Sequence, residues 1–472
     1  MTGTRQMKRR FVLQVVFSGV VIAACSSSGV TVRLGGSQRS GAAGGASGSL
    51  NVGSGGLLEG TCDPGTPTRV SGFVYDPAGK VPLYNAVVYV PTSATLPAFG
   101  STVQCEKCTD PVPAEAVALS DADGHFILEN VPYGSNVKLV VQLGKWRRLT
   151  TIAQVSPCVD NVLTDHDLTR LPRTQAEGDI PKIALSTGHS DALECLLRKV
   201  GIDDSEFTTD SGNGRVNLFV GCVDDAGDEF PTNAFVSGGS FPSTNALFDS
   251  GKLNEYDAVI FSCEGHKCDT IQTPENIAKL NAYEDMGGRV LLDHDHYNWL
   301  NHANAPIEKA AQFSKSATIM SPLSVKINTQ GFPKGQAFSH WLGSVGASST
   351  PGSLDIYSAK TSCQSLDPNR AQTWIYSEAP APVGYFYFTI GTPVAAADGA
   401  PAPEACGRVV FTDLHVSAQG VSADFSRETA PFPTGCVTTD LSPQEKALEF
   451  MLFDLTSCVQ QETAMPMPPG PK

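Results

Sequence analysis

The sequence predicts two folded parts, an all-β sandwich followed by an α/β domain with an open parallel sheet. The α/β part is indicated by residues 256–297, where two wholly apolar runs flank a segment with helical periodicity, the order of a buried β-α-β unit. The sandwich is indicated by five short β-rich runs between residues 69 and 141, separated by Gly, Pro and Asp turns. With 472 residues, 41% of them hydrophobic, the chain is long enough to bury more than one core.

The amino terminus has the order of an export signal. Within residues 1–24, four basic residues precede an apolar run that ends in Val-Ile-Ala-Ala, directly before Cys25. Small residues before a cysteine resemble the lipobox of bacterial lipoproteins, and that resemblance implies cleavage before Cys25 and lipidation of its thiol. The alternative is an ordinary signal peptide with an incidental cysteine. Within the lipoprotein family, Ser26 and Ser27 favour passage to the outer membrane.

Composition and charge set the expected partners. Residues 25–60 are rich in Gly and Ser and contain no aromatic residue, so they predict a flexible tether. Removing the signal takes away four of the 33 Lys and Arg and none of the 48 Asp and Glu, leaving 29 against 48 and a net charge of −19. Such a charge disfavours nucleic acid and anionic lipid headgroups as partners. We therefore expect the lipid on Cys25 to hold the protein to the membrane.

The cysteines predict disulfides. Apart from Cys25 there are twelve, an even number in an oxidising compartment. Four fall early and eight fall late, so we expect crosslinks confined within each domain; the early group is Cys62, Cys105, Cys108 and Cys158. The close pair in this group leaves a four-cysteine zinc knuckle open as an alternative.

The predicted sandwich occupies residues 61–172. Its sequence contains "VSGFVYDPAGKVPLYNAVVYV" and, further on, "LSDADGHFILENVPYG". These strings resemble carboxypeptidase regulatory-like, or transthyretin-like, domains. The resemblance implies an accessory module without chemistry of its own.

Strand and helix alternate in the α/β domain, which we place at residues 180–460. The predicted strands and helices, in chain order, are a strand at 182–188, a helix at 191–200, a strand at 215–220, the β-α-β unit, strands at 383–390 and 407–416, and a helix at 442–455. Ser442, with Glu445 three residues on, predicts a capping box for the last helix. Residues 461–472, rich in Pro and Met, predict a disordered tail.

The order of "YDAVIFSCEG", "RVLLDHDH" and "GRVVFTDLH" resembles the class I glutamine-amidotransferase-like superfamily, especially its trehalose-utilisation-like branch, and implies a flavodoxin-like sheet. The two-part layout also resembles an uncharacterised group of bacterial lipoproteins. The glutaminase chemistry of the superfamily is not expected here. The strand in the nucleophile position runs into residues 293–296 without a cysteine, and Ser417 stands where the family pattern has glutamate.

Ligands of open α/β sheets bind beyond the carboxyl ends of the strands. Titratable residues follow several of the predicted strands; they include His189, Cys263, His266, His294, His296 and His415. If the strand continues, His294 and His296 point to the same side and could bind a metal with a third histidine from His189, His266 or His415. Cys263 and His415 are the candidates for a Cys-dependent hydrolase. The alternative is that these residues satisfy loops and hydrogen bonds at strand ends.

Three functions follow from these observations. The first is an exported, lipid-anchored, non-catalytic binding or scaffold protein of the cell envelope, with a glycan or a protein as its ligand and no cofactor. The second is a metal-assisted hydrolase of an envelope glycan or polymer, which would need a divalent metal. The third is a Cys-dependent hydrolase. The sequence does not name a substrate.

Overall fold

The computed structural model describes most of the chain beyond the predicted tether. The described residues are 62, 66–188, 190–222, 233–303, 305–315, 318–319, 322–395, 404–416 and 430–471. The predicted signal peptide, the tether with Cys25, and His189 lie outside them. Within these ranges the chain is mostly β-structure in large sheets, with few helices, and none of those helices is long and apolar enough to cross a membrane.

The first part of the chain forms two small sheets. Its elements are β1 Arg69–Phe73, β2 Val87–Pro91, β3 Ala114–Leu119, β4 His125–Glu129, β5 Gly134–Leu143, β6 Trp146–Val155, β7 Asp160–Val162, α1 His166–Thr169 and β8 Gly178–Asp179. One sheet has the order β4-β1-β7 and the other β3-β2-β5-β6-β8. The five β-rich runs seen in the sequence are all strands. The long β5-β6 hairpin extends beyond these five runs, to Val155.

The second part is built on a ten-stranded sheet. Its strands are β9 Ile183–Thr187, β10 Phe207–Thr208, β11 Val216–Val220, β12 Ala258–Phe261, β13 Arg289–Asp293, β15 Leu323–Ile327, β16 Ser353–Ile356, β18 Gln372–Ser377, β19 Gly384–Thr392 and β20 Gly407–Thr412. The order is β10-β11-β9-β12-β13-β20-β19-β18-β15-β16. The first six strands in this order, β10, β11, β9, β12, β13 and β20, run parallel to one another. The remaining pairings are antiparallel. The sheet is therefore mixed, and the expectation of a parallel sheet holds only for the part formed by these six strands.

The remaining elements flank this sheet. They are α2 Leu193–Lys199, α3 Pro274–Asp285, α4 Asn298–Asn301, α5 Ala305–Glu308, α6 Pro333–Ser344, α7 Pro443–Thr456 and the separate pair β14 Ala311–Phe313 and β17 Cys363–Leu366. Short 3₁₀ turns cover Asp204–Glu206, Thr244–Phe248, Leu253–Glu255 and His294–Tyr297. The α7 helix begins with the predicted capping box, in which the Ser442 hydroxyl and the Glu445 carboxylate each accept a backbone N–H.

Both faces of the central strands are buried. Along β12, Ala258 and Ile260 belong to the core that contains α7 and the sandwich, whereas Val259 and Phe261 belong to the core that contains α3. Successive strand residues point to opposite faces, so a strand covered on both sides must be apolar throughout. This explains the unbroken apolar runs in the sequence.

The sandwich and the large sheet pack as a single body, since Gly60–Lys472 form one compact unit. Trp146 is fully buried, donates from Nε1 to Thr456 Oγ1 (3.1 Å) and packs edge-on against Phe453 of α7. The β5-β6 turn fits tightly beneath the same helix. Gly144 there has φ +55°, and a Cβ at this position would lie 2.0 Å from the Thr456 carbonyl oxygen. Only glycine meets both constraints.

Five disulfides are present, and they correct the predicted pairing. They join Cys62–Cys158, Cys105–Cys406, Cys108–Cys458, Cys195–Cys436 and Cys222–Cys268. Cys105 and Cys108 of the sandwich segment are bonded to Cys406 and Cys458 of the second part. The expectation of crosslinks confined within each domain is therefore wrong. The zinc knuckle is also wrong, because all four of its cysteines are oxidised.

The carboxyl-terminal residues, which the sequence predicts to be disordered, lie along the sandwich segment instead. Val459 exchanges backbone hydrogen bonds with Glu106 and Cys108, and Gly470 accepts one from Val112 (3.1 Å). The composition gave no sign of this order because the Cys108–Cys458 disulfide and these backbone hydrogen bonds, rather than burial of apolar side chains, hold the segment.

Candidate functional site

The candidate site lies where four neighbouring parallel strands end. β9, β12, β13 and β20 are adjacent in that order, and the register pairs Asp293 with Thr412. Parallel strands end at the same edge of a sheet, so the side chains that follow them are brought together there. We call this edge the rim. It carries the segments that the sequence predicts to be functional.

A buried cluster of three side chains forms the centre of the rim. His415 Nδ1 lies 2.7 Å from Asp191 Oδ2, and His294 Nδ1 lies 3.7 Å from the same oxygen. The imidazole rings of the two histidines stack, with centroids 3.7 Å apart and planes 25° from parallel. The backbone N–H of Val416 donates to Asp191 Oδ1 at 2.7 Å. Asp191 thereby fixes both histidines from a segment between β9 and α2.

Asp293 and His294 complete the cluster. The Asp293 carboxylate contacts Nδ1 of His294 and accepts a backbone hydrogen bond from Cys263 at 3.4 Å. His294 has φ +42°, a left-handed backbone conformation that is uncommon for a residue with a Cβ. This conformation ends the strand and turns the ring towards Asp191. Both side chains are completely buried.

Burial governs the titration of this pair. It raises the pKa of Asp293 well above the ordinary carboxyl value, and the neighbouring Asp191 carboxylate raises it further by repulsion and by sharing a hydrogen bond. Burial, followed by the charges of His415 and Lys360, lowers the pKa of His294 well below the ordinary imidazole value. His294 is therefore neutral at pH 7, with a lone pair on one ring nitrogen and a hydrogen on the other.

His296 lies outside the cluster, contrary to the prediction that it shares a side with His294. The strand stops at Asp293 and continues as the 3₁₀ turn, so the alternation of a strand no longer applies. His296 Nε2 contacts Glu264 Oε2 at 2.7 Å, and its Nδ1 accepts from Trp299 Nε1 at 3.2 Å. Burial lowers the pKa of His296, but the Glu264 carboxylate, the Ser262 carbonyl and the charge of Asp295 together raise it, and the net change is upward. Both ring nitrogens are engaged in structural contacts.

Cys263 is a free, fully buried thiol. Its Sγ accepts from the backbone of Gly265 at 3.2 Å, while Nδ1 of His415 faces Asp191. Burial raises the pKa of Cys263 well above the ordinary thiol value, and the nearby Asp293 carboxylate adds to the effect. Cys268, five residues further along the chain, is bonded to Cys222. These contacts give the thiol neither a general base nor the charge environment of a nucleophile.

Of the remaining predicted ligands, His189 lies outside the described residues, and His266 does not join the cluster. His266 is half-buried on the loop after β12. Within the described part of the chain, the metal-ligating side chains whose donor atoms converge within 4.8 Å are Asp191, His294 and His415. Two of the five candidate histidines are thus brought together.

Asp191 is the site residue that sequence reasoning missed. It lies shortly after the glycine turn that ends β9 and just before α2, where we had read it only as the start of a helix. A carboxylate shortly after the end of a parallel strand, at the same edge of the sheet as Asp293 and Asp413, was the signal that could have identified it.

Lys360 and Asp413 form the outer part of the rim. Lys360 Nζ lies 3.4 Å from Asp295 Oδ2, and Asp413 Oδ2 accepts the Ser362 backbone N–H at 3.1 Å. Burial raises the pKa of Asp413 to about 8, although the Ser362 hydrogen bond works in the opposite direction. Carboxylates, imidazoles and one ammonium group therefore satisfy one another here with little contact with solvent.

Comparison with protein-family models and with curated proteins gives no match. Among solved structures, the chain matches two interface mutants of a type II cohesin–X-dockerin complex from Acetivibrio cellulolyticus. The C-terminal interface mutant has 16% identity over 31% of this chain and 79% of that chain, with a TM-score of 0.15. The N-terminal interface mutant has 16% identity over 29% and 85%, with a TM-score of 0.16. Similarity at this level assigns neither a fold nor a function.

Proposed function

We propose that this chain is an exported, lipid-anchored protein of the cell envelope that binds a ligand rather than catalysing a reaction. The five disulfides fit a protein that resides outside the cytoplasm. The basic and apolar residues before Cys25 support a lipid anchor, and the two serines after it support the outer membrane. The α3 crossover between β12 and β13 supports an amidotransferase-like origin for the second part.

The rim supports binding over catalysis because its reactive groups are enclosed. Cys263 and His294 are completely buried, and 9% of the His415 side chain is exposed. A catalytic group must reach its substrate directly or through one water molecule. The thiol of Cys263 is also protonated at neutral pH, since its pKa is raised. Both hydrolase alternatives lose support for these reasons.

A cavity between the sandwich and the second part carries the binding proposal. Its volume is about 710 Å³, within the range of about 300 to 1,000 Å³ that ligand sites occupy. Residues from both parts line it, among them Asp76 and Lys80 from the sandwich and Lys199 and Lys446 from the helices of the second part. A junction of two packed parts is a common place for a ligand site.

The charges of this cavity indicate an anionic ligand. Five cationic side chains line it, against four carboxylates, although the whole chain carries a net charge of −15; the cations are Lys80, Arg173, Arg198, Lys199 and Lys446. A local excess of cations attracts anions to this cavity, whereas the negative charge of the rest of the surface repels them. Two threonines, Thr438 and Thr439, add hydroxyl groups. We propose a carboxylate-bearing glycan of the envelope as the ligand.

Lys80 is the best position for a test because 66% of its side chain is exposed. Among the described salt bridges, its ammonium group pairs only with the exposed Asp440, at 2.6 Å. Lys80→Glu should weaken binding to purified peptidoglycan and its soluble fragments by about three- to tenfold, as expected when one exposed favourable charge becomes unfavourable. Arg69→Glu is the control, since it changes the net charge equally at the exposed Arg69–Glu129 pair, away from the cavity lining. Equal binding by the two variants, or no binding by the wild type, would refute the proposal.

The anchor is tested separately. Cys25→Ser should move the protein from the membrane fraction to the soluble fraction, because the acyl chains would be lost. Unchanged membrane fractionation would contradict lipidation. It would not bear on ligand binding at the cavity, which the Lys80 variant tests.

A further inference from the structure

We propose that one buried cluster at the rim is a closed binding site for a divalent transition-metal ion of the zinc class. Its four donor side chains are Asp191, Asp293, His294 and His415. The proposal is independent of ligand binding at the cavity, because the cluster lies at the ends of the parallel strands and shares no residue with the cavity lining.

Three donor atoms converge within 4.8 Å, one each from Asp191, His294 and His415, and the Asp293 carboxylate contacts one of them. Oδ2 of Asp191 lies 2.7 Å from His415 Nδ1 and 3.7 Å from His294 Nδ1, and the Asp293 carboxylate contacts the latter nitrogen. A tetrahedral ion with bonds of about 2.1 Å separates its ligand atoms by about 3.4 Å. The two distances of 2.7 and 3.7 Å lie on either side of that separation.

The cluster lacks a positive centre. Asp293 Oδ1 and both ring nitrogens of His294 are buried and form no hydrogen bond of normal geometry. Nitrogen lone pairs and carboxylate oxygens that face one another repel unless a proton or a cation lies between them. A divalent cation would balance the charges of Asp191 and Asp293 and bind one ring nitrogen of His294.

The donor types select the class of ion. Two imidazole nitrogens with two carboxylate oxygens suit zinc and similar first-row ions. Calcium and magnesium prefer oxygen ligands alone, in larger numbers. With four protein ligands and no exposed side chain among Asp191, Asp293 and His294, the site has no open position for substrate, which is typical of a structural metal.

Contacts outside the cluster hold the donors in place. Val416 N–H donates to the second oxygen of Asp191 (2.7 Å), Cys263 N–H donates to the second oxygen of Asp293 (3.4 Å), and Gln444 Nε2 donates to the His415 carbonyl (2.8 Å). Outer contacts of this kind orient metal ligands and increase affinity.

The test is Co²⁺ and Zn²⁺ loading of the disulfide-intact protein, followed by removal of loosely bound metal. We expect about one equivalent of either ion and a cobalt absorption spectrum of the tetrahedral type. His294→Gln and Asp191→Asn should lose the ion and the spectrum. His296→Gln is the matched control, because His296 is buried on the same turn but engaged by Glu264 and Trp299.

A second measurement covers variants that fail to fold. Wild-type protein stripped by a chelator should unfold at a lower temperature than the same protein reloaded with Zn²⁺, since an ion that binds only the folded state stabilises it. Stoichiometric loading that persists in folded His294→Gln would overturn the proposal. So would an absence of tightly bound ion in the wild type, which would mean that shared protons alone hold the cluster together.

Discussion

The imidazole rings of His294 and His415 stack at 3.7 Å, although each follows a different strand of the sheet. Both direct Nδ1 to the same oxygen of Asp191. The two imidazoles and the Asp191 carboxylate therefore contact one another. This relationship is the reason for assigning ligand binding to the cavity lined by Lys80 and Lys446, and a structural role to the rim.

Thiol accessibility should follow the burial of the two free cysteines, Cys263 and Cys363. Burial raises the pKa of each, so neither supplies thiolate at neutral pH. In a secreted Cys25→Ser form, a thiol reagent should modify neither cysteine in the native state and both after unfolding in denaturant. Rapid labelling of Cys263 in the native protein, with loss of any hydrolase activity, would revive the Cys-dependent alternative.

The Cys108–Cys458 disulfide, which joins the sandwich segment to the chain end, should contribute to the stability of the protein. Replacing Cys108 and Cys458 together by Ser should lower the urea midpoint, by the equivalent of about 2 to 5 kcal/mol, because the unfolded chain gains freedom. The control is replacement of Cys62 and Cys158, whose disulfide lies within the sandwich. Limited proteolysis should release the chain end only from the first variant. Peptide mapping that found no 108–458 crosslink would contradict the pairing.

Trp146 should be essential to the packing of the two parts. Its side chain is buried against Phe453, so Trp146→Ala should destabilise the protein by about 3 to 5 kcal/mol. Thr456→Val keeps the indole ring but removes the acceptor of its N–H, together with the hydroxyl's own bond to the Leu452 carbonyl, and should cost about 1 kcal/mol. Chemical denaturation of both variants checks the order, and equal effects would show that the hydrogen bond rather than the ring holds the parts.

The buried carboxyl pair Asp76 and Glu449 should make stability depend on pH. Burial raises the pKa of Asp76 from 3.8 to about 6 and the pKa of Glu449 well above its ordinary value, while Lys446 opposes the second shift. Both Glu449 oxygens lack hydrogen-bond partners of normal geometry. A raised pKa in the folded state means that the folded state binds more protons than the unfolded state. Its contribution to stability is thus fully present below about pH 4 and is lost as the pH rises through about 6 and above.

Glu449→Gln should flatten this part of the stability profile. The neutral amide has nearly the same shape and requires no proton, so the variant should match the wild type at low pH and exceed it at pH 7 to 8. Glu129→Gln, at an exposed salt bridge, serves as the control and should leave the slope unchanged. A wild-type slope that survives in Glu449→Gln would assign the pH dependence to other groups.

Patterns with a single physical cause could be read from the sequence. The apolar runs of β12 and β13 indicated strands buried on both faces, and Ser442 with Glu445 indicated the start of α7, because both signals are local. The gathering of His294 and His415 at the rim was also within reach, since parallel strands end together.

Features set by tertiary contacts could not be read in this way. His296 diverges from His294 because the backbone turns at one residue, His294 with φ +42°, and the composition of residues 293–296 does not encode that turn. The Cys108–Cys458 bond depends on where the chain end passes, and the even counts of cysteines are compatible with many pairings. Strands β15, β16, β18 and β19 pair antiparallel in the sheet, and the local sequence pattern of a strand does not give its direction relative to its partner.

Hydrogen exchange of the mature protein with and without soluble anionic peptidoglycan fragments tests the central claim most directly. The claim is that the ligand occupies the cavity and leaves the rim untouched. We expect protection of the cavity walls, residues 76–81, 198–204 and 437–441, and unchanged exchange at 262–266, 293–297 and 413–416. Protection confined to the rim segments, or no protection in any of these peptides, would contradict it.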